Sequence, residues 1–106
     1  GGSACYVVTG GGGQLGTWTY SMSSKSDVYA YVPNINYYLT DRARYYAHYN
    51  DGGSTLAITL CNQQLRKNGY CYLITGKQNF SKAELSCSIT ASNLYCAYDE
   101  VFINNN

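Results

Sequence analysis

Apolar residues recur at every second position in several short stretches of this chain. The pattern is clearest in 27–32, where valine and alanine alternate with aspartate and tyrosine, and it recurs in 17–22. A period of two residues places alternate side chains on opposite faces of an extended segment, as in half-buried strands. Pro33 is the only proline; it follows the first stretch directly and should end that strand. The pattern therefore predicts short β-strands.

Two hairpins are predicted in the second half of the chain. The β-branched and aromatic runs 57–62 and 70–75 flank a polar loop that ends in Asn-Gly, which is a hairpin signature. The runs 85–90 and 94–98 flank a second short polar loop in the same way. Short strands at this spacing are typical of a β-sandwich or a barrel.

The middle of the chain allows two interpretations. Residues 40–49 can begin a short helix, with Thr40 as its cap, or can continue as a strand to Tyr49. The glycine-containing turn at 50–54 ends either element and divides the chain into two β motifs of similar layout. We therefore expect residues 1–106 to form one all-β domain, a disulfide-bonded two-sheet Greek key sandwich.

Five cysteines in so short a chain indicate an oxidising compartment and disulfides rather than a metal site. No Cys-x-x-Cys pair occurs, and the spacings fit no zinc pattern. The second predicted hairpin places Cys87 nearly opposite Cys96, within reach of a disulfide, and the first does the same for Cys61 and Cys71. The sequence alone leaves the connectivity open. The odd cysteine is either free or able to bridge two chains, so a disulfide-linked partner is a further prediction.

Charge and targeting signals argue against several classes of protein. Charged residues make up 12% of the chain and the net charge is +1, so no strong field for nucleic acid is expected. No apolar run reaches the roughly 20 residues of a membrane-spanning helix, and the absence of a signal peptide suggests a mature secreted form. The glycine run at 10–13 does not match a phosphate-binding loop. We expect no cofactor and no nucleic-acid partner.

Thirteen tyrosines are the most unusual feature of the composition. A tyrosine combines an apolar ring with a polar hydroxyl, so it either packs in a half-buried sheet position or contacts a sugar or a protein at the surface. The tyrosines in 28–32 and 45–49 stand on alternate or adjacent positions, so they cannot all face one core. We expect part of this set to form a binding surface together with the only histidine: Tyr29, Tyr31, Tyr45, Tyr46, His48 and Tyr49.

Four segments resemble the Greek key motif of the βγ-crystallin family. ITLC at 58–61 and YCYLITG at 70–76 are similar to the first hairpin of that motif. ELSCSITA at 84–91 and TDRARYYAHY at 40–49 are similar to the segment that carries the family's Ca²⁺ ligands. The resemblance covers most of the chain as two motifs. It implies a Greek key sandwich and a secreted antifungal or killer-toxin protein that attacks a cell wall or a membrane.

Calcium binding is not expected from these motifs. A Ca²⁺ site requires several oxygen ligands. Arg44 and Cys87 stand at serine positions of the family's motif, and each segment keeps a single acidic ligand, Asp41 in one and Glu84 in the other. We therefore expect no bound metal.

A second resemblance is to small secreted fungal ribonucleases, which are tyrosine-rich, disulfide-bonded and near this length. HYNDGG at 48–53 is similar to a histidine-containing turn of that family. The reaction of those enzymes requires a base and an acid on opposite sides of the phosphate. His48 is the only histidine, so Glu84 or Glu100 would have to be its partner, and no spacing supports either. We therefore expect no enzyme, and at most an inactive relative with the same fold.

The favoured hypothesis is a secreted, non-enzymatic binding protein of antifungal or killer-toxin type, whose partner is a cell-wall glycan or a cell-surface protein. The alternative is a secreted effector or inhibitor that binds a host protein through the same tyrosine surface. Because charges are few, recognition should depend on aromatic stacking and hydrogen bonds rather than on ion pairs.

Overall fold

A computed structural model describes residues 5–8, 14–36, 38–89, 94–98 and 100–105. Short strands dominate this part of the chain, with one brief helix between the fifth and sixth strands. In chain order the elements are β1 (Cys5–Val8), β2 (Gln14–Thr19), β3 (Ser26–Val32), β4 (Ala43–Asp51), β5 (Ser54–Cys61), α1 (Gln63–Arg66), β6 (Gly69–Lys77), β7 (Lys82–Ser86), β8 (Tyr95–Tyr98) and β9 (Val101–Asn105).

The strands form two main antiparallel sheets. One sheet has four strands in the order β2-β7-β4-β5, and the other has three in the order β6-β3-β9. Strands β1 and β8 form a separate antiparallel pair. Buried side chains from the inner faces of both main sheets join in one apolar core. The predicted all-β, disulfide-bonded sandwich architecture is therefore confirmed.

Strand β4 shows how the alternation in the sequence builds this core. The odd-numbered residues from 43 to 49 are alanine and tyrosine, and all of them are buried. The even-numbered residues from 44 to 48 are arginine, tyrosine and histidine, and all of them face outward and are half-buried. A strand turns successive side chains to opposite faces, so burial of one set requires exposure of the other. Of the two interpretations of 40–49, the strand is the correct one.

Two predicted boundaries agree with the structure: the end of the strand before Pro33 and the turn at 50–54. Strand β3 ends at Val32, directly before Pro33. Strands β4 and β5 are joined by Gly52 and Gly53, whose φ angles of 61° and 105° lie in the region that glycine adopts without steric cost. The turn at 50–54 therefore connects two neighbouring strands of a single sheet.

Both predicted hairpins are wrong. Strand β5 pairs with β4, and β6 pairs with β3 in the other sheet. Strand β7 has β2 on one side and β4 on the other, so it has no free edge for β8, which pairs with β1. Helix α1 lies where the turn of the first hairpin was expected. It connects β5 of the four-stranded sheet to β6 of the three-stranded sheet. Residues 90–93 of the second expected hairpin lie outside the described residues, as does the glycine run at 10–13.

The two predicted disulfides are nevertheless present, and both connect different sheets. Cys61 ends β5 and is bonded to Cys71 in β6, so this bond joins the four-stranded sheet to the three-stranded one. Cys87 follows β7 and is bonded to Cys96 in β8, so this bond joins the four-stranded sheet to the β1–β8 pair. The fifth cysteine, Cys5, lies in β1, and its side chain is outside the part that the structure describes.

Helix α1 is short but firmly attached. The side chain of Asn62 accepts a hydrogen bond from the backbone N–H of Leu65 at 3.3 Å and caps the first turn. The amide of Gln63 is fully buried: its Nε2 donates to the carbonyl oxygen of Ala97 at 2.7 Å, and its Oε1 accepts from the N–H of Ala97 at 2.9 Å. These two bonds satisfy both polar groups of the amide and fix the helix against β8.

Candidate functional site: two outer sheet faces

The outer face of the three-stranded sheet carries a cluster of aromatic rings, which we call the aromatic face. Strand β3 contributes two tyrosines, β6 two more and β9 a phenylalanine. The register places Tyr29 opposite Tyr72 on one side and opposite Phe102 on the other. The full set is Tyr29, Tyr31, Tyr70, Tyr72 and Phe102.

The five rings contact one another across the strands. Tyr29 is central: its ring centroid lies 5.1 Å from that of Tyr70, 5.4 Å from that of Tyr72 and 5.9 Å from that of Phe102. Contacts at these distances stabilise the sheet and also hold the rings in fixed orientations. Tyr72 remains 66% exposed at the margin of the cluster. The hydroxyl of Tyr31 donates to Oδ1 of Asn68 at 2.7 Å.

A groove of about 330 Å³ adjoins the aromatic face. Tyr70 and Tyr72 of β6 line it together with the end of β5, including the exposed Leu60. Leu65 and Arg66 of α1 also line the groove. The groove therefore extends the aromatic face toward the edge of the four-stranded sheet.

The outer face of the four-stranded sheet is chemically different, and we call its centre the polar face. It consists of Arg44, Tyr46 and His48 of β4 with Lys82 and Glu84 of β7. Nε2 of His48 lies 2.5 Å from Oε1 of Glu84, and Nζ of Lys82 lies 3.8 Å from Oε2 of the same carboxylate. Nη1 of Arg44 donates to the hydroxyl of Tyr46 at 3.3 Å.

The contact between His48 and Glu84 corrects a conclusion drawn from the sequence, where no spacing linked the two. They are 36 residues apart, but β4 and β7 are neighbours and their register places Tyr46 opposite Glu84 and His48 opposite Lys82. A carboxylate in contact with an imidazole and near an ammonium group can take part in proton transfer. Local sequence contained no signal for this pairing.

Two of the predicted binding residues are not available at the surface. Tyr45 is 1% exposed and Tyr49 is 7% exposed, because both lie on the inner face of β4. Burial raises the pKa of Tyr45 to about 12, although the hydrogen bond from Gln63 acts in the opposite direction. The hydroxyl of Tyr49 pairs with Oγ of Ser54 at 2.5 Å. Both tyrosines are core residues, so their assignment to a binding surface was wrong.

The other four predicted residues face outward but do not form one site. Tyr29 and Tyr31 lie on the aromatic face, whereas Tyr46 and His48 lie on the polar face of the other sheet. Sequence reasoning missed most partners of both sets: Tyr70, Tyr72 and Phe102 on the first face, and Arg44 and Lys82 on the second. The alternation of tyrosine in 70–72 is the one local signal that pointed to the missing rings.

Neither a metal centre nor a membrane helix is found in the described part of the chain. No group of three or more histidine, cysteine, aspartate and glutamate side chains is placed there to hold a metal ion. No helix in these ranges is long and apolar enough to cross a membrane.

A scan against models of protein families and searches of curated proteins and of solved structures find no match to this chain. The resemblances to the βγ-crystallins and to fungal ribonucleases therefore stay predictions. The functional interpretation depends on the geometry of the two outer faces.

Proposed function

We propose that this chain is a secreted, non-enzymatic binding protein whose aromatic face binds a cell-wall glycan. The observation that carries the proposal is the cluster of five rings on one outer sheet face, with Tyr72 largely exposed beside the groove. Aromatic rings stack on the apolar faces of sugar rings, and tyrosine hydroxyls can bond to sugar hydroxyls. Two disulfides favour an extracellular location.

The fixed arrangement of the rings supports binding rather than packing alone. Tyrosine loses few rotamers on binding. Because Tyr29 already contacts three neighbouring rings, little further ordering is needed when a ligand binds. No charged side chain belongs to this cluster, so the affinity should change little with salt. An antifungal or killer-toxin role would follow if the glycan belongs to a competitor's cell wall.

A glycan array followed by titration calorimetry tests the proposal. We expect binding to β-linked polysaccharide fragments, with an affinity that stays nearly constant as NaCl is raised. Tyr72→Ala should lower that affinity about tenfold or more, because it removes the most exposed ring of the cluster. Tyr38→Ala is the matched control: Tyr38 is also strongly exposed but lies outside the sheets, so its loss should change nothing.

Two results would reject glycan binding. One is an array without any bound glycan, which would favour the alternative of a host-protein target on the same face. The other is an equal effect of Tyr72→Ala and Tyr38→Ala, which would remove the aromatic face from the site.

The polar face supports a second candidate function, that of an inactive relative of small fungal ribonucleases. Glu84 is placed to accept a proton, and Arg44 and Lys82 could balance the charge of a phosphate. Cleavage of a phosphodiester would also require an acid that protonates the leaving oxygen. The only histidine of the chain already contacts Glu84. This arrangement favours phosphodiester binding without cleavage.

Digestion and binding assays with a single-stranded RNA oligonucleotide test this second candidate. We expect no cleavage of the oligonucleotide. We expect weak binding that disappears at high salt, and Lys82→Ala should weaken this binding as well. Tyr72→Ala is the control and should leave RNA binding unchanged, since Tyr72 lies on the other sheet. Cleavage that is lost in Glu84→Gln would instead identify an active ribonuclease.

A further inference from the structure

Strand β5 forms an unprotected edge of the four-stranded sheet. It is eight residues long and pairs with β4 on one side, and no backbone hydrogen bond joins its other side to any described residue. Its sequence STLAITLC contains no charged residue, no proline and no glycine. Proteins ordinarily block a free edge with charges, proline or a bulge, because its unpaired N–H and C=O groups can pair with another strand.

The other edge of the same sheet is protected. Strand β2 contains Gly16, and its pairing with β7 shifts register between Gln14 and Gly16. A bulge of this kind disrupts regular pairing with a further strand. In contrast, β5 follows an unbroken register with β4 from Cys61 to Leu56. The two edges of the sheet thus differ in a feature that governs strand addition.

The side chains on the outer face of β5 are apolar and exposed. Leu56, Ile58 and Leu60 lie opposite His48, Tyr46 and Arg44 of β4, and Ile58 is 58% exposed. These three form a row that we call the apolar edge. Large aliphatic side chains at an exposed edge mark an interaction surface, because covering them removes apolar area from water.

The apolar edge is symmetric about Ile58. The order Leu56-Ala57-Ile58-Thr59-Leu60 places a leucine two residues on either side of the isoleucine. If two copies of β5 lie antiparallel with Ile58 opposite Ile58, each Leu56 falls opposite Leu60 of the other copy on the same face. A two-fold symmetric interface requires this kind of self-complementarity. The absence of charge means that no like charges oppose each other across the axis.

We propose that β5 pairs with β5 of a second copy of this chain and forms a homodimer with a continuous eight-stranded antiparallel sheet. Main-chain hydrogen bonds along the edge supply the pairing, and the two apolar edges cover each other across the two-fold axis. The contact is a strip one strand wide, smaller than a typical permanent interface, so the dimer exchanges with monomer. The rings of the aromatic face belong to the other sheet, so each dimer presents two aromatic faces, but Leu60 also lines the groove beside Tyr70 and Tyr72, and the dimer covers this side of the groove.

Sedimentation velocity over the micromolar range tests this proposal. We expect the weight-average mass of the wild-type protein to rise toward twice that of the monomer as concentration increases. Ile58→Lys should raise the dimer dissociation constant about a hundredfold, because it places two positive charges opposite each other at the axis. Thr17→Lys is the matched control: it adds the same charge to an exposed position of the opposite edge strand and should leave dimerisation unchanged.

Mixing two charge variants tests the register and does not depend on a loss of function. Ile58→Lys and Ile58→Glu should each be monomeric alone and should form a heterodimer when mixed, since opposite charges then meet across the axis. A wild-type protein that stays monomeric at every concentration would overturn the proposal. So would equal dimerisation of Ile58→Lys and wild type, or a failure of the mixed variants to associate while both retain the wild-type circular dichroism spectrum.

Discussion

On both outer sheet faces every second residue points outward, but the outward side chains of the two faces make different contacts. On the aromatic face, Tyr29 packs against rings from both neighbouring strands, so the contacts stay within the sheet. On the polar face, Glu84 contacts His48 across two strands and lies near the ammonium group of Lys82. The first face presents oriented rings with few charges, and the second presents charges that neighbouring residues partly balance.

Outward positions in these sheets thus acquire their chemistry from cross-strand neighbours as well as from the local sequence. Tyr29 and Tyr46 are both outward tyrosines on inner strands of their sheets. Tyr29 meets aromatic rings of both neighbouring strands, while Tyr46 lies opposite Glu84 of β7 and Ile58 of β5. The register separates a stacking surface from a polar one. Four measurements can test whether the two faces and the interior behave differently.

The largest effect should separate the inner from the outer residues of β4. Tyr45→Ala removes a ring that is almost completely buried and should lower the free energy of unfolding by about 3–5 kcal/mol. Tyr46→Ala removes a half-buried outward ring and should cost less than about 1.5 kcal/mol. Chemical denaturation of both variants measures the difference. Equal losses would show that the polar face is a second core, which would end the distinction between face and interior.

The bond between Cys61 and Cys71 ties the two sheets together, and its removal comes next. The double variant Cys61→Ala, Cys71→Ala should lose about 3 kcal/mol, because a closed loop of this length restricts the unfolded chain by that amount. Its counterpart is the double variant that removes Cys87 and Cys96, which have nearly the same separation and should cost a similar amount. If glycan binding survives in the first variant at a temperature where it is folded, the aromatic face functions without its covalent link to the polar face.

Alkaline pH should reveal the buried hydroxyl of Tyr45. Its pKa is raised to about 12, above the ordinary value near 10, so the folded state holds this proton more tightly than the unfolded state does. The stabilisation is complete below about pH 10 and is lost as pH rises through about 12, with a total of about 2–3 kcal/mol. Unfolding measured across this range should show a shallower decline in Tyr45→Phe than in wild type. An unchanged slope would indicate that the hydroxyl is not buried.

The smallest effect concerns the mutual contacts of the aromatic rings. A double-mutant cycle with Tyr29→Ala and Phe102→Ala should give a coupling free energy of about 0.5–1.5 kcal/mol, since these rings stack at 5.9 Å. The control cycle pairs Tyr29→Ala with Tyr46→Ala on the other sheet and should give a coupling near zero. Coupling of similar size in both cycles would mean that the two faces respond as one unit.

Much of the fold could be predicted from local sequence, because half-buried strands have apolar residues at every second position. The ends of β3 at Val32 and the turn at Gly52 and Gly53 follow from residue-level sterics. The pairing of strands does not, since β5 and β6 are neighbours along the chain and belong to different sheets. The disulfide between Cys61 and Cys71 was predicted from a hairpin that does not exist, and it forms because the ends of two packed sheets come together.

The candidate sites were predictable only in part, for the same reason. The alternation in 28–32 correctly placed Tyr29 and Tyr31 on one face. The choice between helix and strand was open for 40–49, so the sequence did not separate the inward from the outward tyrosines of β4. Tyr45 and Tyr49, which are buried, were therefore wrongly included in the binding set. Glu84 could not be assigned to His48, since the contact depends on the insertion of β7 beside β4.

The position of β7 has a consequence for the order in which this protein can fold. It lies between β2 and β4, so the pairing of Thr17 with Glu84 must close a very long stretch of chain. Until the residues of β7 have been synthesised, β2 has no partner in its sheet and β4 has only the hairpin to β5. Such non-local closure is slow, on the order of milliseconds to seconds for chains of this class. The four-stranded sheet can therefore be completed only after β7 has been synthesised, and until then a folding chaperone would meet the chain with the β4–β5 hairpin formed and β2 unpaired.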